Sequence, residues 1–253
     1  WHNYPMQIFG GFNFNKNKDT ITIYYEGGSK AWTGMIDSSV YQKLAIRMGR
    51  TMERISNDSS VTNPANWRLG CIGGSAGTAY QACNEVNYIS EINYRSQVTS
   101  DAGSWLELYN NDTQQWDLSN WTLHTQLDSP YVKFPAHYIL QKGQRIVLAA
   151  DSFKFKTVHP YITFDVKGLD LDTLDALKLY DASGQMKYSM RFENGNLWTD
   201  SANGNGYTLE LINDSMKPYE ANAWHASCPN GTPGKSYYSN CSPGKQAQIY
   251  FSE

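Results

Sequence analysis

Tyr88-Ile-Ser-Glu-Ile-Asn-Tyr94 and Trp105-Leu-Glu-Leu-Tyr109 are the two stretches that decide the fold. In both, the side chains alternate between two faces with a period of two residues, which is typical of a β-strand. In the second stretch, Leu106 and Leu108 share the face that suits a core, and Glu107 lies on the opposite face. The same alternation recurs in residues 21–24, 121–124, 146–149, 176–180 and 207–212.

Polar turn sequences separate these stretches. They are Asn110-Asn-Asp, Asp128-Ser-Pro, Gln141-Lys-Gly and Ala182-Ser-Gly. Short strands between polar turns predict an all-β chain folded as an antiparallel β-sandwich. We expect a helical turn in residues 38–48, which stand where the later part of the chain has the Gly- and Asn-rich stretch 193–205.

The composition excludes several classes of protein. The 253 residues include 21 Lys and Arg against 24 Asp and Glu, for a net charge of -3. Because a strong nucleic-acid interface usually makes a domain basic, nucleic-acid binding is not expected. Aromatic residues make up 14% of the chain, which favours strands and argues against disorder. No run of about 18 apolar residues occurs, so the sequence predicts no membrane-spanning segment.

The four cysteines form two pairs with matched spacing, Cys71/Cys83 and Cys228/Cys241. Four cysteines allow three pairings, and four free thiols are a further alternative. Neither pair has zinc-knuckle spacing, and the five histidines form no metal-binding motif, so we expect no metal or cofactor. We predict the disulfides Cys71–Cys83 and Cys228–Cys241, each of which closes a loop that follows a buried Trp. Because disulfides persist in oxidising compartments, these bonds indicate such a location.

The chain also repeats itself at an offset close to that between Cys71 and Cys228. Each matched pair shares residue types in the same order. The pairs are 19–24 with 175–180, 49–55 with 206–212, 65–67 with 222–224, 74–77 with 231–234, and Cys83 with Cys241. Such internal repetition is typical of proteins built from copies of one unit.

The repeat predicts how the chain is organised. Residues 1–85 correspond to the C-terminal half of a first repeat, and 86–242 form a complete second one. Residues 243–253 would be a linker followed by the first strand of another repeat, because 249–253 resemble the segment that starts at Tyr88. We therefore expect a window onto a longer array, in which the missing strands come from upstream chain or from another copy.

The complete repeat resembles a known family. In order, it contains the runs starting at Ile89, Ser104 and Asp117, then Phe134-Pro, residues 140–143, Leu179-Tyr-Asp-Ala-Ser-Gly, Gly206-Tyr-Thr-Leu-Glu, Ala223-Trp and Gly231-Thr-Pro-Gly. Over about 87–242 this ordered set is similar to the lamin-tail domain. It departs from that family at Asn120, where a Gly is usual, and at Gly74-Ser-Ala-Gly in the first repeat.

The resemblance implies an immunoglobulin-like β-sandwich. It is also similar to the secreted bacterial members of the family, which accompany nucleases, kinase-like domains and other exported proteins. It implies no catalytic residues, because the family is not known for any. We therefore expect that the chain is not an enzyme.

Two motifs invite a catalytic or metal-binding interpretation. Gly73-Gly-Ser-Ala-Gly77 matches the nucleophile elbow, but that motif needs a strand–turn–helix context, and its counterpart at 231–234 has no Ser. Asp170, Asp172 and Asp175 resemble a short calcium loop. Because the counterpart at 13–19 carries amides and lysines, we expect a solvated turn there.

Glu91 and Glu107 fall on strands that we expect to be neighbours. Paired carboxylates can act as an acid–base couple or as a cation site. They can equally be solvated or accept backbone N–H groups, which is the more common arrangement.

Modification motifs are also present. Thr20, Thr173, Ser201 and Ser215 each follow an Asp and precede a small or aliphatic residue. This pattern resembles an O-glycosylation signal of exported Gram-negative proteins, although Asp-Ser and Asp-Thr are also ordinary turn dipeptides.

Two classes of function remain. The first is a non-catalytic structural or adhesive repeat of a large secreted, cell-surface or filament protein, whose partners are adjacent repeats or other copies. The second is an accessory module of a secreted multidomain enzyme that binds polysaccharide or nucleic acid. Surface glycans are a candidate partner because exposed Tyr and Trp side chains can stack on sugars. Both classes place the chain outside the cell or on its surface.

Overall fold

A computed structural model of the chain describes residues 18–24, 30–37, 49–56, 63–126, 131–166, 169–195, 198–213, 215–238 and 240. The expected helical turn at 38–48 and the expected strand at 249–253 lie outside these residues. The chain divides into two compact units, Trp1–Asn84 and Glu85–Glu253, here called unit 1 and unit 2.

Unit 1 contains two antiparallel strand pairs among its described residues. The first pair joins β1 (Lys18–Tyr24) to β2 (Lys30–Asp37). The second joins β3 (Arg50–Arg54) to β4 (Trp67–Ile72), and a 3-10 turn (Pro64–Asn66) leads into β4. These pairs form separate two-stranded sheets.

Unit 2 is built from short strands and one described α-helix. Its strands are β5 (Ile89–Asn93), β6 (Trp105–Tyr109), β7 (Trp116–Asp117), β8 (Thr122–His124), β9 (Tyr131–Lys133), β10 (Ile139–Leu140), β11 (Arg145–Ala149), β12 (Phe164–Val166), β13 (Leu174–Tyr180), β14 (Met186–Glu193), β15 (Leu209–Leu211) and β16 (Trp224–Ala226). The helix α1 (Ser152–Val158) lies between β11 and β12. Three 3-10 turns complete the list: Val98–Ser100, Asp200–Ala202 and Ala221–Ala223.

Two sheets enclose the core of unit 2. One has the order β12-β11-β6-β5-β15-β16 and the other β14-β13-β8-β9, while β10 and β7 form a small separate pair. Apolar side chains from both large sheets form one cluster, which includes Leu106, Leu108 and Leu209 from the first and Leu123, Leu177 and Tyr188 from the second. The predicted all-β, immunoglobulin-like sandwich is confirmed.

The pairing of β11 with β12 is parallel, so the prediction of antiparallel strands is wrong at this one pair of the described sheets. The reason is α1, because a parallel pair needs a crossover connection and this helix provides it. Asp151 begins the helix, since its side chain accepts hydrogen bonds from the N–H groups of Phe153 and Lys154.

The crossover helix also covers the second face of the six-stranded sheet. Trp105 and Val147 point away from the main core and pack in a smaller cluster with Phe155 of α1. The ring centroids of Trp105 and Phe155 lie 5.7 Å apart in an edge-on arrangement. Both faces of β6 are therefore buried, and Glu107 on this face is buried with them.

The internal repeat has a structural counterpart in the first strand pair of unit 1. The pairing of β1 with β2 runs from Lys18 opposite Asp37 to Tyr24 opposite Lys30, with a register shift before Tyr24. The pairing of β13 with β14 runs from Leu174 opposite Glu193 to Tyr180 opposite Met186, with its shift before Tyr180. The two hairpins have the same strand lengths, the same register and a register shift at the same position.

The second strand pair of unit 1 repeats in the same way. Met52, Glu53 and Arg54 of β3 lie opposite Leu69, Arg68 and Trp67 of β4. Leu209, Glu210 and Leu211 of β15 lie opposite Ala226, His225 and Trp224 of β16. These three pairs match position by position, and unit 1 adds a fourth pair, Arg50 with Ile72, beyond a register shift. Both units therefore contain the same two hairpins.

Candidate functional site

A glycine-rich loop follows β4 in unit 1 and β16 in unit 2. In unit 1 the Gly73 N–H donates to Gly49 O and the Gly74 N–H to Cys71 O. At the matching positions of unit 2, Asn230 N–H donates to Gly206 O and Gly231 N–H to Cys228 O. The loop conformation is therefore repeated together with the strands.

Positive φ angles explain why glycine dominates this loop. Gly74 and Gly77 have φ of 73° and 80°, and their counterparts Gly231 and Gly234 have φ of 88° and 83°. Side chains with a Cβ rarely adopt this region. Asn230, which stands where unit 1 has Gly73, adopts φ of 65°, as asparagine tolerates.

The structure contains the Cys71–Cys83 disulfide, with Cα atoms 5.3 Å apart. Cys228 is also disulfide-bonded, and its predicted partner Cys241 lies outside the described residues. The Trp residues that precede the loops differ from the expectation: Trp224 is buried, but Trp67 is only half-buried. The Nε1–H of Trp224 donates to Pro218 O at 2.8 Å, which fixes its ring in the unit 2 core.

In unit 2 the loop lies against a row of three glutamates. Glu91 of β5 is opposite Glu107 of β6 on one side and opposite Glu210 of β15 on the other. Each of the three residues is at most 2% exposed. Like charges at directly opposite positions destabilise a sheet unless other groups compensate them.

Backbone N–H groups of the loop supply part of that compensation. Glu91 Oε1 accepts the Thr232 N–H at 2.9 Å, and Glu107 Oε2 accepts the Gly234 N–H at 2.5 Å. The Thr208 hydroxyl also donates to Glu91 Oε1. Of the alternatives for Glu91 and Glu107, the structure therefore has carboxylates that accept backbone donors in a buried site, not solvated ones.

Arg145 is the cation of this site. Its Nη1 lies 2.5 Å from Glu107 Oε1, and its side chain is 13% exposed. The guanidinium carbon lies 3.6 Å from the centre of the Tyr109 ring, and Nη2 donates to Ser236 Oγ at 3.2 Å. Arg145 thus joins β6 to the end of the loop and balances the charge of Glu107.

The other two glutamates have perturbed protonation. Burial, followed by the charges of Glu210 and Glu107, raises the pKa of Glu91 well above its usual range. Burial and the charge of Glu107 raise the pKa of Glu210 to about 7, although the Thr232 side chain and Arg145 oppose this shift. The Oε2 atoms of both Glu91 and Glu210 lack a hydrogen-bond partner. The row therefore holds protons at a pH where exposed glutamates have lost them.

Unit 1 has a cavity of about 510 Å³ beside the same loop. Its lining consists of residues 51–56 from β3 and its end, and residues 73–80 from the loop. Glu53, the counterpart of Glu210, accepts hydrogen bonds there from the hydroxyls of Thr51 and Ser75. The cavity therefore lies between β3 and the glycine-rich loop at residues 73–80.

The nucleophile-elbow motif does not have the geometry of a catalytic serine. Ser75 donates its hydroxyl hydrogen to Glu53, and no helix follows it in residues 73–88. The strand–turn–helix context that exposes such a nucleophile is absent from this segment.

The candidate calcium ligands accept hydrogen bonds from backbone N–H groups and from two hydroxyls, those of Ser104 and Thr173. Asp175 is buried and accepts the N–H groups of Gln126 at 2.7 Å and Ala176 at 2.8 Å. Asp172 accepts the Thr173 N–H at 2.6 Å, and Asp170 accepts the Ser104 hydroxyl at 3.1 Å. Among the described residues, these three carboxylates do not form a cluster within 4.8 Å of one another.

The four predicted glycosylation positions have different environments. Ser215 is exposed, and its hydroxyl donates to Asn213 Oδ1 at 2.9 Å. Thr173 and Ser201 are half-buried. Thr20 lies in β1, where side chains are outside the described part. Their modification stays a prediction.

Sequence reasoning did not assign Glu210 and Arg145 to the site. Glu210 could have been found, because Glu53 stands at the matching position of the other unit in both the sequence and the register. Arg145 has no such counterpart, and nothing local in the sequence of β11 indicates that it reaches Glu107.

These features define an immunoglobulin-like β-sandwich module with a capped row of buried glutamates. Residues 82–193 match the family model described as the Lamin Tail Domain. This match supports the resemblance for the part of the chain from the end of unit 1 through β14, and such domains are generally not enzymes. No curated protein matches the chain. Among the described residues, no helix combines the length and the apolar character needed to cross a membrane.

Proposed function

We propose that this chain is a structural or adhesive part of a large secreted, cell-surface or filament protein built from tandem lamin-tail-like repeats. In this role it connects or spaces other domains and performs no chemistry. The adjacent repeats of the same polypeptide, or other copies of it, are its partners.

The shared register of the two units is the observation that carries the proposal. Two hairpins and a disulfide-bearing loop recur with the same pairing, down to the shift before Tyr24 and Tyr180. Because a repeated unit that stacks on its neighbours is a means of building length, this supports an extended array. The absence of a catalytic set at Ser75 agrees with that role.

The disulfides support a location outside the cytoplasm. Cys71 and Cys83 are joined, and Cys228 is also disulfide-bonded. Such bonds persist in secreted and surface proteins and are rare where thioredoxin and glutathione keep thiols reduced.

Protease treatment of intact cells that produce the protein tests the proposal. We expect an antibody against unit 2 to lose its signal when intact cells are treated, and non-reducing peptide mapping of the native protein to recover the Cys71–Cys83 link. Protection from protease until lysis, together with free thiols, would overturn the proposal. Saturable binding of the purified chain to a defined polysaccharide, with no attachment to further repeats, would favour the accessory module instead.

A further inference from the structure

The cavity of unit 1 has an exact positional counterpart in unit 2. Adding 157 to the numbers of its lining residues, 51–56 and 73–80, gives 208–213 and 230–237. The hairpin registers and the loop hydrogen bonds match at this same offset. What covers the second surface therefore indicates what would fill the first.

In unit 2 that surface is covered by β5 and β6. β5 pairs with β15 at Leu209 and Glu210. A Cβ placed on Gly231 would lie 2.7 Å from Glu91 Oε1 and 2.9 Å from the Trp105 ring, so both side chains lie directly against the loop. Together with the bonds from the Thr232 and Gly234 N–H groups, these contacts occupy the space that unit 1 leaves as a cavity.

Unit 1 retains the groups that would receive the same two strands. Ser75 and Gly77 stand at the positions of Thr232 and Gly234, and Thr51 stands at the position of Thr208. Within the described part of the chain, no hydrogen bond has the Ser75 or Gly77 N–H as its donor. Both residues line the cavity, and the N–H groups of their counterparts in unit 2 donate to carboxylates.

The outward edge of β3 also indicates that the cavity receives a strand. Ile55 N–H donates to Asn66 O, on the side of β4. Because successive residues of a strand direct their N–H and C=O groups to opposite sides, those of Met52 face away from β4. Its counterpart Leu209 is paired there with Ile92 of β5. A small carboxylate could satisfy the loop donors but offers no strand to pair with the outward backbone groups of Met52.

We propose that the unit 1 cavity is a strand-acceptor site for the β5–β6 segment of another lamin-tail-like module. The occupant is a two-strand segment with glutamates placed as Glu91 and Glu107 and an aromatic ring placed as Trp105. The first strand adds to β3 antiparallel, and the two carboxylates accept the Ser75 and Gly77 N–H groups. This inference rests on the proposed function and names the contact that joins one module to the next.

A synthetic peptide with the sequence of residues 86–110, added to the 253-residue chain, tests the site. Fluorescence anisotropy of the labelled peptide should show saturable binding with one peptide per chain. Hydrogen exchange should slow in residues 49–56 and 73–80 and stay unchanged in 206–213 and 230–237, because unit 2 already holds its own segment.

Two variants show which contacts matter. A peptide carrying Glu91→Lys and Glu107→Lys should bind about tenfold more weakly or worse, because it lacks both acceptors. Met52→Pro in the chain removes the outward N–H of β3 and should abolish the protection of 49–56, whereas exposed Arg68→Ala on β4 should change neither readout.

Three results would overturn the inference. They are no binding, equal binding of the lysine peptide, or exchange protection outside residues 49–56 and 73–80. If acetate or glutarate alone protected Ser75 and Gly77 and the peptide did not, the cavity would be a small-carboxylate site. None of these results bears on protease accessibility of the native protein, so the proposed function is judged separately.

Discussion

Glu91 lies directly opposite Glu210 in the pairing of β5 with β15, and both carboxylates are buried. Glu107 continues the row on β6, where Arg145 and the Gly234 N–H hold it. A sheet that buries three acids in neighbouring strands depends on the loop and the arginine that neutralise them. The stability of unit 2 should therefore respond to pH and to substitutions in the loop.

Glu210 makes the stability of unit 2 fall as the pH rises from 4.5 to about 7. Its pKa is raised in the folded state, so the folded chain binds the proton more tightly than the unfolded chain does. The contribution is fully present below the ordinary pKa of 4.5 and is lost as the pH passes about 7. A shift of this size corresponds to roughly 3 kcal/mol.

Glu210→Gln should reduce this dependence, and urea unfolding at pH 5 and pH 8 measures it. Part of the dependence should remain, because the pKa of Glu91 is also raised by burial and by the charges of its neighbours. The comparison of the variant with the parent chain is essential because His159 acts in the opposite direction. Burial lowers the pKa of His159, so its contribution grows as the pH rises towards its ordinary value of 6.5. If parent and variant kept the same difference in stability at both pH values, the proton would not be held by Glu210.

Arg145→Met should destabilise unit 2 by about 3–5 kcal/mol, because it leaves Glu107 buried without its cation. The double variant Arg145→Met/Glu107→Gln should recover a large part of that loss, since no charge then remains to be balanced. Thermal unfolding of the two variants and of Glu107→Gln alone completes the cycle. Additive losses would mean that the two side chains contribute independently.

Gly231→Ala should cost more stability than Gly77→Ala. Both residues have a positive φ, 88° and 80°, so each substitution carries a similar backbone strain of about 1–2 kcal/mol. A Cβ at Gly231 would also meet Glu91 Oε1 at 2.7 Å, whereas a Cβ at Gly77 meets nothing within 4 Å. Denaturant unfolding of the two variants measures the difference, and equal losses would show that β5 does not pack on the loop.

The alternating stretches predicted β5, β6 and β13 because their period belongs to the strand itself. The helix α1 was not predicted, since it has only 7 residues and shows no helical periodicity. The burial of Glu107 depends on a donor 127 residues away in the chain. No local pattern can reveal a contact of that kind, and a glutamate on a strand face otherwise indicates a solvated surface.

Removing the Cys71–Cys83 bond by changing both residues to Ser should lower the stability of unit 1 by roughly 2–3 kcal/mol, because a loop of this length is no longer closed in the unfolded chain. The unfolding transition of unit 2 should not move. Non-reducing peptide mapping of the parent chain should also recover Cys228 linked to Cys241. A link between Cys71 and Cys228 would contradict the predicted pairing.

Replacing the loop of unit 2 by the loop of unit 1 should leave unit 2 folded. A chain in which residues 230–237 are replaced by the sequence of 73–80 keeps the positive φ residues at the positions of Gly231 and Gly234. It also keeps the N–H groups that Glu91 and Glu107 accept, because these belong to the backbone and not to the side chains of Thr232 and Gly234. Ser236 becomes Ala, which removes the hydroxyl that accepts a hydrogen bond from Arg145, and Pro233 becomes Ala. We expect a loss of about 1–2 kcal/mol from the more flexible loop.

The same replacement with Pro at position 234 removes one backbone donor, and Pro cannot adopt the φ of 83° found there. This variant should lose several kcal/mol more and expose Glu107. Unfolding of unit 2, followed by the fluorescence of Trp105 and Trp224, measures both changes. If the simple exchange were as damaging as the proline version, the two loops would not be equivalent, and the repeat would be one of sequence alone.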